Sequence, residues 1–253
     1  MITVLIANSN YGQYIEKSIQ SAINQTLKPT TICVVDDGSS DNSWDIISSF
    51  CTQNQTQQER TDTPNGEVLL LHGVVNDIDI LGIKLPISVG PSEARNVGIQ
   101  VTRQNTQYYA ILDADDAMLP NKLERCMTGF KNPSVGLVYA NYFNVNKDTD
   151  ISLMEVKRAY DIHRLSMECI VHSGFVVKAE LLDIVKDKNG YYDASMRVCE
   201  DYDLELRIAQ HCSFYHIAEP LTEALVHSNN STNSVKKETW EANMARIRQK
   251  WSS

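Results

Sequence analysis

Three carboxylates within four residues, Asp113, Asp115 and Asp116, close the apolar run Tyr109-Ala110-Ile111-Leu112. Like charges this close repel and raise one another's pKa. A divalent cation relieves that repulsion, and hard oxygen ligands suit Mn²⁺ or Mg²⁺. The preceding run has no polar member, so the acids stand on a rigid strand rather than in a mobile turn. Two other acidic motifs fit poorly. An EF-hand would need its sharp-turn glycine where Met118 stands and a ligand where Ala117 stands. A phosphatase of the DxDx(T/V) kind carries its nucleophile on the first strand, whereas these acids come three strands in.

Other groups invite chemistry as well. Asp36 and Asp37 end the run Ile32-Cys33-Val34-Val35 and open Gly38-Ser39-Ser40-Asp41. Turn formation and helix capping account for Asp41. A carboxylate at a strand end can also accept a base N–H or a ribose hydroxyl. Arg95, in the first turns of a helix after Gly90-Pro91, puts a cation and a helix N-terminus where a diphosphate would sit. Glu200-Asp201 opens an amphipathic segment, where acids suit the helix dipole and either is placed to act as a general base. His227 is a loop histidine or a third metal ligand, and His172 beside Ser173-Gly174 is placed to line an acceptor pocket.

The elements that must carry these groups follow from periodicity. Ile2–Ala7 is a strand, helical spacing runs from Tyr14 to Ile23, and 32–35 is the second strand, followed by a helix with Trp44, Ile46, Ile47 and Phe50. This β-α-β-α start predicts parallel strands with right-handed crossovers. Residues Thr52–Asn65 are polar and aperiodic and predict an exposed, unstructured insertion. Val68–Leu71 predicts a strand, and Asn76–Leu85 a loop or small hairpin. Pro120–Phe130 predicts a helix, Val135–Val145 a strand, and Lys147–Ser152 a turn. Ile162–Val177 fits either helix or strand. Glu200–Gln210 predicts a helix, Phe214–Ile217 and Leu221–His227 two short strands about Pro220, and Val235–Trp251 an exposed C-terminal helix.

Composition narrows the partners. The 253 residues carry a net charge of −9, which gives nucleic-acid phosphates no basic face. Six cysteines without CxxC spacing read as free thiols of a reducing compartment. No secretory leader and no apolar run near ~20 residues is present, so the expectation is a cytoplasmic protein with no integral membrane segment.

Taken in order, these segments resemble the inverting family-2 glycosyltransferases, over most of the chain from Thr3 to about Ser234. Val4–Tyr11 is similar to their opening strand and nucleotide loop, and Val34–Asp41 to their nucleoside-binding segment. Gly90–Gly98 is similar to their Gly…Ala-Arg-Asn-x-Gly helix, and Leu112–Asp116 to their metal-binding DxD. Glu200–Leu204 with Arg207 resembles the Glu-Asp motif that carries the base. Leu225–Ser231 resembles the late histidine segment. Ala7 stands where proline is usual, and the Gln-x-x-Arg-Trp segment of processive synthases is missing.

The resemblance implies a GT-A fold, α/β and Rossmann-like, with a mostly parallel central sheet and a C-terminal acceptor portion. The glycosyltransferase domain would span 1–234, divided into a nucleotide-sugar half (1–120) and an acceptor half (121–234), with 235–253 as a C-terminal helix. It implies a hexosyltransferase that moves one sugar from a nucleotide-diphospho-sugar, UDP foremost, to a hydroxyl of a carbohydrate, glycolipid or glycoprotein. Surface polysaccharide or glycoconjugate synthesis is the expected setting. Ala7, Asn8, Asn10, Asp36, Asp37, Arg95, Asp113 and Ala114 would bind the nucleotide. Asp115, with Asp113, Asp116 and His227, would hold Mn²⁺ or Mg²⁺. Asp201 would be the base with Glu200 in reserve, and His172 and Gly174 would meet the acceptor. Two alternatives stay open: a catalytically silent sugar-nucleotide-binding domain, and a nucleotidyltransferase. The latter would want a basic loop after the first strand, and Asn8–Gln13 has no Arg or Lys.

Overall fold

A computed structural model describes residues 1–52, 57–63, 66–149, 151–228, 230 and 235–251. The backbone begins with β1 (Ile2–Asn8), α1 (Ile15–Ile23), β2 (Thr31–Asp36) and α2 (Ser43–Thr52). Next come β3 (Gln57–Thr63), β4 (Gly66–Val75), β5 (Ile78–Lys84), α3 (Pro91–Thr102) and β6 (Tyr108–Asp113). β7 (Ala117–Met118), α4 (Lys122–Gly129), β8 (Val135–Asn146) and β9 (Ser152–Glu155) follow. The chain continues through α5 (Ile162–Met167), β10 (Val176–Lys178), α6 (Ala179–Val185), α7 (Glu200–Ala209), β11 (Ser213–Val226) and α8 (Lys237–Trp251).

The strands join one sheet in the order β3-β4-β5-β2-β1-β6-β10-β8-β11-β7, with β9 on β8. β5, β2, β1 and β6 run parallel, as crossovers through helices require. Around them β4, β3, β10, β7 and β9 pair antiparallel, so the sheet as a whole is mixed rather than mostly parallel. Apolar runs without alternation are what a strand buried on both faces needs. In β1, Val4 and Ile6 pack with Ile15, Ile19 and Ile47 on one face. Leu5 packs with Ala94, Ile99 and Leu204 on the other. β6 obeys the same parity: Tyr109 and Ile111 face the α3 side, Ala110 and Leu112 the α1 side. Asp113 shares the parity of 109 and 111, so it emerges on the α3 side.

Several expectations change. Part of the presumed insertion is β3, which pairs with β4 from Gln57↔His72 to Thr63↔Gly66, while 53–56, 64 and 65 lie outside the described residues. Its polar side chains obscured it, because an edge strand buries little. Asn76–Leu85 is neither loop nor separate hairpin: β5 turns back from β4 and docks parallel to β2. Asn76 and Asp77 make that turn with positive φ, 51° and 62°. The Ile162–Val177 stretch resolves into α5 and β10, and α6 follows without having been foreseen. The two strands about Pro220 are one strand, β11, whose register on β8 shifts on both sides of Pro220. The C-terminal helix is exposed along most of its length, but Ile247 is buried, and Met244 and Trp251 pack against the core. All six cysteines are free thiols.

Candidate active site

The acids of β6 meet α7 through one buried guanidinium. Arg95 lies one turn into α3, and its side chain is 7% exposed. Nη2 donates to Asp113 Oδ1 at 2.8 Å, Nη1 donates to Glu200 Oε1 at 2.8 Å, and Asp201 Oδ1 lies 3.7 Å from Nη1. The Tyr192 ring covers the guanidinium at 5.3 Å. The cation expected beside the phosphates is therefore consumed by carboxylates, and it sets the positions of acids from two distant segments. Burial works against its charge, yet Asp201, Asp113 and Glu200 outweigh burial and raise its pKa further.

Asp37 explains why α3 starts where it does. Its carboxylate accepts Ser88 Oγ–H at 2.8 Å, Val89 N–H at 2.6 Å and Gly90 N–H at 2.9 Å. Gly38, with φ +63°, allows that close approach, since a Cβ there would lie 2.6 Å from the backbone of Ile87 and Ser88. Asp36 is fully buried and accepts Asn8 Nδ2–H at 2.8 Å and Ser39 Oγ–H at 2.6 Å. Asn10, itself at φ 58°, is clasped by Ser39 and Ser40. Thus Asp36, Asp37 and Asn10 spend their polar atoms on tying together the segments that follow β1, β2 and β5. Asn8 Oδ1 is different: it is buried and, among the described residues, has no hydrogen-bond partner. Ala114 is buried in the apolar layer, and Ala7 packs against the opposite one, leaving only their backbones for a ligand.

The DxD acids separate into three environments. Asp113 Oδ2 accepts Ser173 Oγ–H at 2.9 Å, and its other oxygen takes Arg95. Burial pushes its carboxyl up, but Arg95 and Ser173 outweigh burial and hold it below the usual range. Asp116 is buried and accepts the backbone N–H of Leu225 at 3.0 Å, anchoring β11. Burial and the charges of Asp113 and Asp115 raise its pKa well above the usual carboxylate range. Lys122, 1% exposed, donates to Thr222 Oγ1 at 2.8 Å and fixes β11 a second time. With β11 held so, His227 at its end reaches Asp115, with Nε2 3.0 Å from Oδ2. Asn230 Nδ2 donates to the same oxygen at 3.0 Å, and the His227 ring lies on Tyr14 at 4.7 Å and edge-on to Tyr11 at 5.7 Å.

Four side chains were expected on the metal, and the structure brings two together. Asp113 and Asp116 are committed to Arg95 and to Leu225, and no group of three or more ligating side chains is found among the described residues. Asp115 with His227 still fits a hard divalent cation. One carboxylate and one imidazole converge on one point, and Mg²⁺ sites take their remaining ligands from water and substrate phosphates. Burial and Asp113 raise the Asp115 carboxyl in the absence of a cation, the response of an acid short of positive charge.

Glu200 and Asp201 differ in what they have left to offer. Glu200 is taken up by Arg95. Asp201 Oδ1 is buried without a hydrogen-bond partner. Burial dominates its environment, Arg95 opposes it, and Glu200 and Asp113 add to it, so the carboxyl is pushed up to about 8. Before them stands Cys199 at φ 63°, a strained conformation for a side chain with a Cβ, of the kind that collects at functional sites. On the far side His172 Nδ1 accepts the N–H of Gly174 at 3.0 Å, and its ring lies 4.0 Å from that of Tyr142. Sequence reasoning missed Ser173, Asn230, Lys122, Tyr192 and the two tyrosines beside His227. Asn230 carried a signal through its place in the late histidine segment, Tyr11 through the nucleotide loop and Ser173 through its place beside His172.

The chain is 23% identical over 239 residues to the hyaluronan synthase of Pasteurella multocida, covering 94% of this chain but 21% of that protein. Two solved structures share the fold. TarS 1-349 of S. aureus, in complex with UDP-GlcNAc, matches with TM-score 0.70 at 15% identity over 97% of this chain and 65% of that one. The mannosyltransferase PcManGT of Pyrobaculum calidifontis, in complex with GDP-Man and Mn²⁺, matches with TM-score 0.63 at 17% identity over 97% and 61%. The architecture is the GT-A fold. The model of "Glycosyl transferase family 2" matches residues 3–167, and the chain belongs to that family.

Proposed function

We propose that this chain transfers a single sugar from a nucleotide-diphospho-sugar, foremost a UDP-sugar, to an acceptor hydroxyl with inversion. The observation that carries the proposal is Asp201 Oδ1, a buried carboxylate oxygen with no hydrogen-bond partner, held 3.7 Å from Arg95. An unsatisfied buried acceptor costs free energy unless a ligand supplies the missing donor. An acceptor hydroxyl is such a donor, and Asp201 takes its proton as the oxygen attacks the anomeric carbon. The new C–O bond forms on the face opposite the breaking bond to the diphosphate, which inverts the centre. Base catalysis of this kind contributes on the order of 10²–10⁴-fold. Asn8 Oδ1, the second unpartnered acceptor, suits a base N–H of the nucleoside.

Asp115 and His227 would hold Mn²⁺ or Mg²⁺, which supplies positive charge to the diphosphate as it departs. Arg95 holds the Asp113 carboxyl below the usual range and fixes Glu200 and Asp201 in place. The complexes of structural neighbours with UDP-GlcNAc, and with GDP-Man and Mn²⁺, support the donor class. Calorimetric titration of UDP, GDP and dTDP, each with and without Mn²⁺, on the wild type and on Asp115→Ala tests the reading. Metal-dependent binding of one nucleotide, lost in the variant, is the expected result. Failure of all three to bind refutes it.

A further inference from the structure

His172 flanks the acid cluster through its neighbour Ser173, which bonds Asp113, and its chemistry is fixed by its neighbours. Nδ1 accepts the Gly174 N–H at 3.0 Å, so in the neutral ring the proton resides on Nε2. The loop leaves no freedom at that point. A Cβ on Gly174 would lie 3.0 Å from both His172 Nδ1 and Lys122 Nζ. Ser173, between the two, donates to Asp113 Oδ2 and ties the loop to the acid cluster. His172 is half-buried beside Tyr142, and no described residue is hydrogen-bonded to Nε2.

The charged groups facing the ring are Lys122 from α4, Lys157 from the segment after β9, and Asp113 from β6. Burial and Lys122 disfavour the imidazolium more than Asp113 favours it, and the pKa is pushed down to about 3. Protonation would also force Nδ1 to surrender the Gly174 N–H. His172 is thus no rival to Asp201 as an acid or base near neutral pH.

We infer that His172 is a fixed, uncharged Nε2–H donor that binds an oxygen of the acceptor hexopyranose and so helps set acceptor specificity. The inference rests on the glycosyltransferase reading and adds a positioning contact to it. Tyr142, whose ring centroid lies 4.0 Å from that of His172, covers one face of the imidazole and holds the ring in place.

The test is long-range ¹⁵N–¹H spectroscopy of the histidine rings in the labelled protein with UDP and diamagnetic Mg²⁺, from mildly acid to mildly alkaline pH. The ring missing from the spectrum of His172→Gln is expected to keep the Nε2–H pattern throughout. It is also expected to shift when galactose, N-acetylglucosamine or glucuronate is added at tens of millimolar. His172→Gln, which retains an N–H donor, keeps hexose affinity, whereas His172→Phe lowers it about three- to tenfold, the worth of one neutral hydrogen bond. A ring that titrates in this range, carries its proton on Nδ1 or ignores all three sugars overturns the inference, as do equal affinities in the two variants. UDP-induced shifts elsewhere in the wild type report the donor site separately, so a silent His172 beside bound UDP refutes this inference alone.

Discussion

Replacing Arg95 by methionine removes one cation from among three carboxylates. Its two contacts at 2.8 Å are charge-assisted, the one to Glu200 buried and the one to Asp113 part-buried. Each is worth roughly 1.5–3 kcal/mol, and stranding a buried charge by deleting its partner costs about 3–5 kcal/mol. We therefore expect Arg95→Met to lose about 3–5 kcal/mol at neutral pH, a large share of the roughly 5–15 kcal/mol a domain possesses. In urea, with a slope of roughly 2–3 kcal/mol per M, the midpoint falls by about 1–2.5 M.

The sign of the pH dependence follows from Asp113, held below the usual carboxylate range in the folded wild type. A depressed carboxyl contributes stability above its unfolded pKa and loses it as pH falls through the folded value. Arg95→Met lacks that contribution, so its deficit is largest near neutrality and shrinks below the unfolded carboxylate pKa of about 4. Arg95→Lys recovers part of the loss, because one ammonium lacks the fork that reaches Asp113 and Glu200 together. Urea titrations of the three proteins across pH decide the matter. A loss under about 1 kcal/mol, or one of equal size at acid and neutral pH, would show that the guanidinium is not the clasp of the site.

Asp201, as the proposed base, should trade stability for activity. Asp201→Asn is expected to slow donor hydrolysis and transfer by about 10²–10⁴-fold. Asp201's folded pKa of about 8 lies above its unfolded value, so ionising it costs stability that grows as pH rises toward 8. The asparagine variant should therefore melt higher than the wild type at neutral pH and equal it in acid, and a lower melting temperature at neutrality argues against a strained base. The wild-type rate should climb with pH through the same range; a rate that falls there removes Asp201 from the role. Asp116→Asn keeps an oxygen for the Leu225 N–H and removes a carboxyl whose ionisation burial opposes, so its stability should change by less than about 0.5 kcal/mol. Asp116→Ala orphans that N–H and should cost about 1–3 kcal/mol in the same denaturation assay. Equal losses in the two would mean that the carboxylate, not the hydrogen bond, is what β11 needs.

Which parts of this were legible in advance has a physical pattern. Strands buried on both faces, such as Ile32–Val35 and Tyr109–Leu112, declare themselves by composition, and helices such as 91–102 and 200–209 by their start signals and periodicity. The acids at strand ends were legible because carboxylates after an apolar run are unusual, and their order along the chain matched a family. What stayed hidden has little apolar burial or depends on distant partners. β3 is polar because it lies at the sheet edge, and β10 is only three residues long, so neither offers a period to detect.

The division of labour among the acids could be decided only by tertiary structure. Asp113, Asp115 and Asp116 are near neighbours in the chain, yet one faces Arg95, one His227 and one the backbone of Leu225. Strand parity and the path of β11 separate them, and neither is a local property. The same holds for Glu200 and Asp201, adjacent and alike until Arg95 takes one and leaves an oxygen of the other without a partner. By itself the sequence determined the fold class, the family and the short roll of acids, because apolar runs and motif order are carried by the chain. Charge state and orientation were set by the folded protein, because a carboxylate's pKa and aim belong to whatever surrounds it.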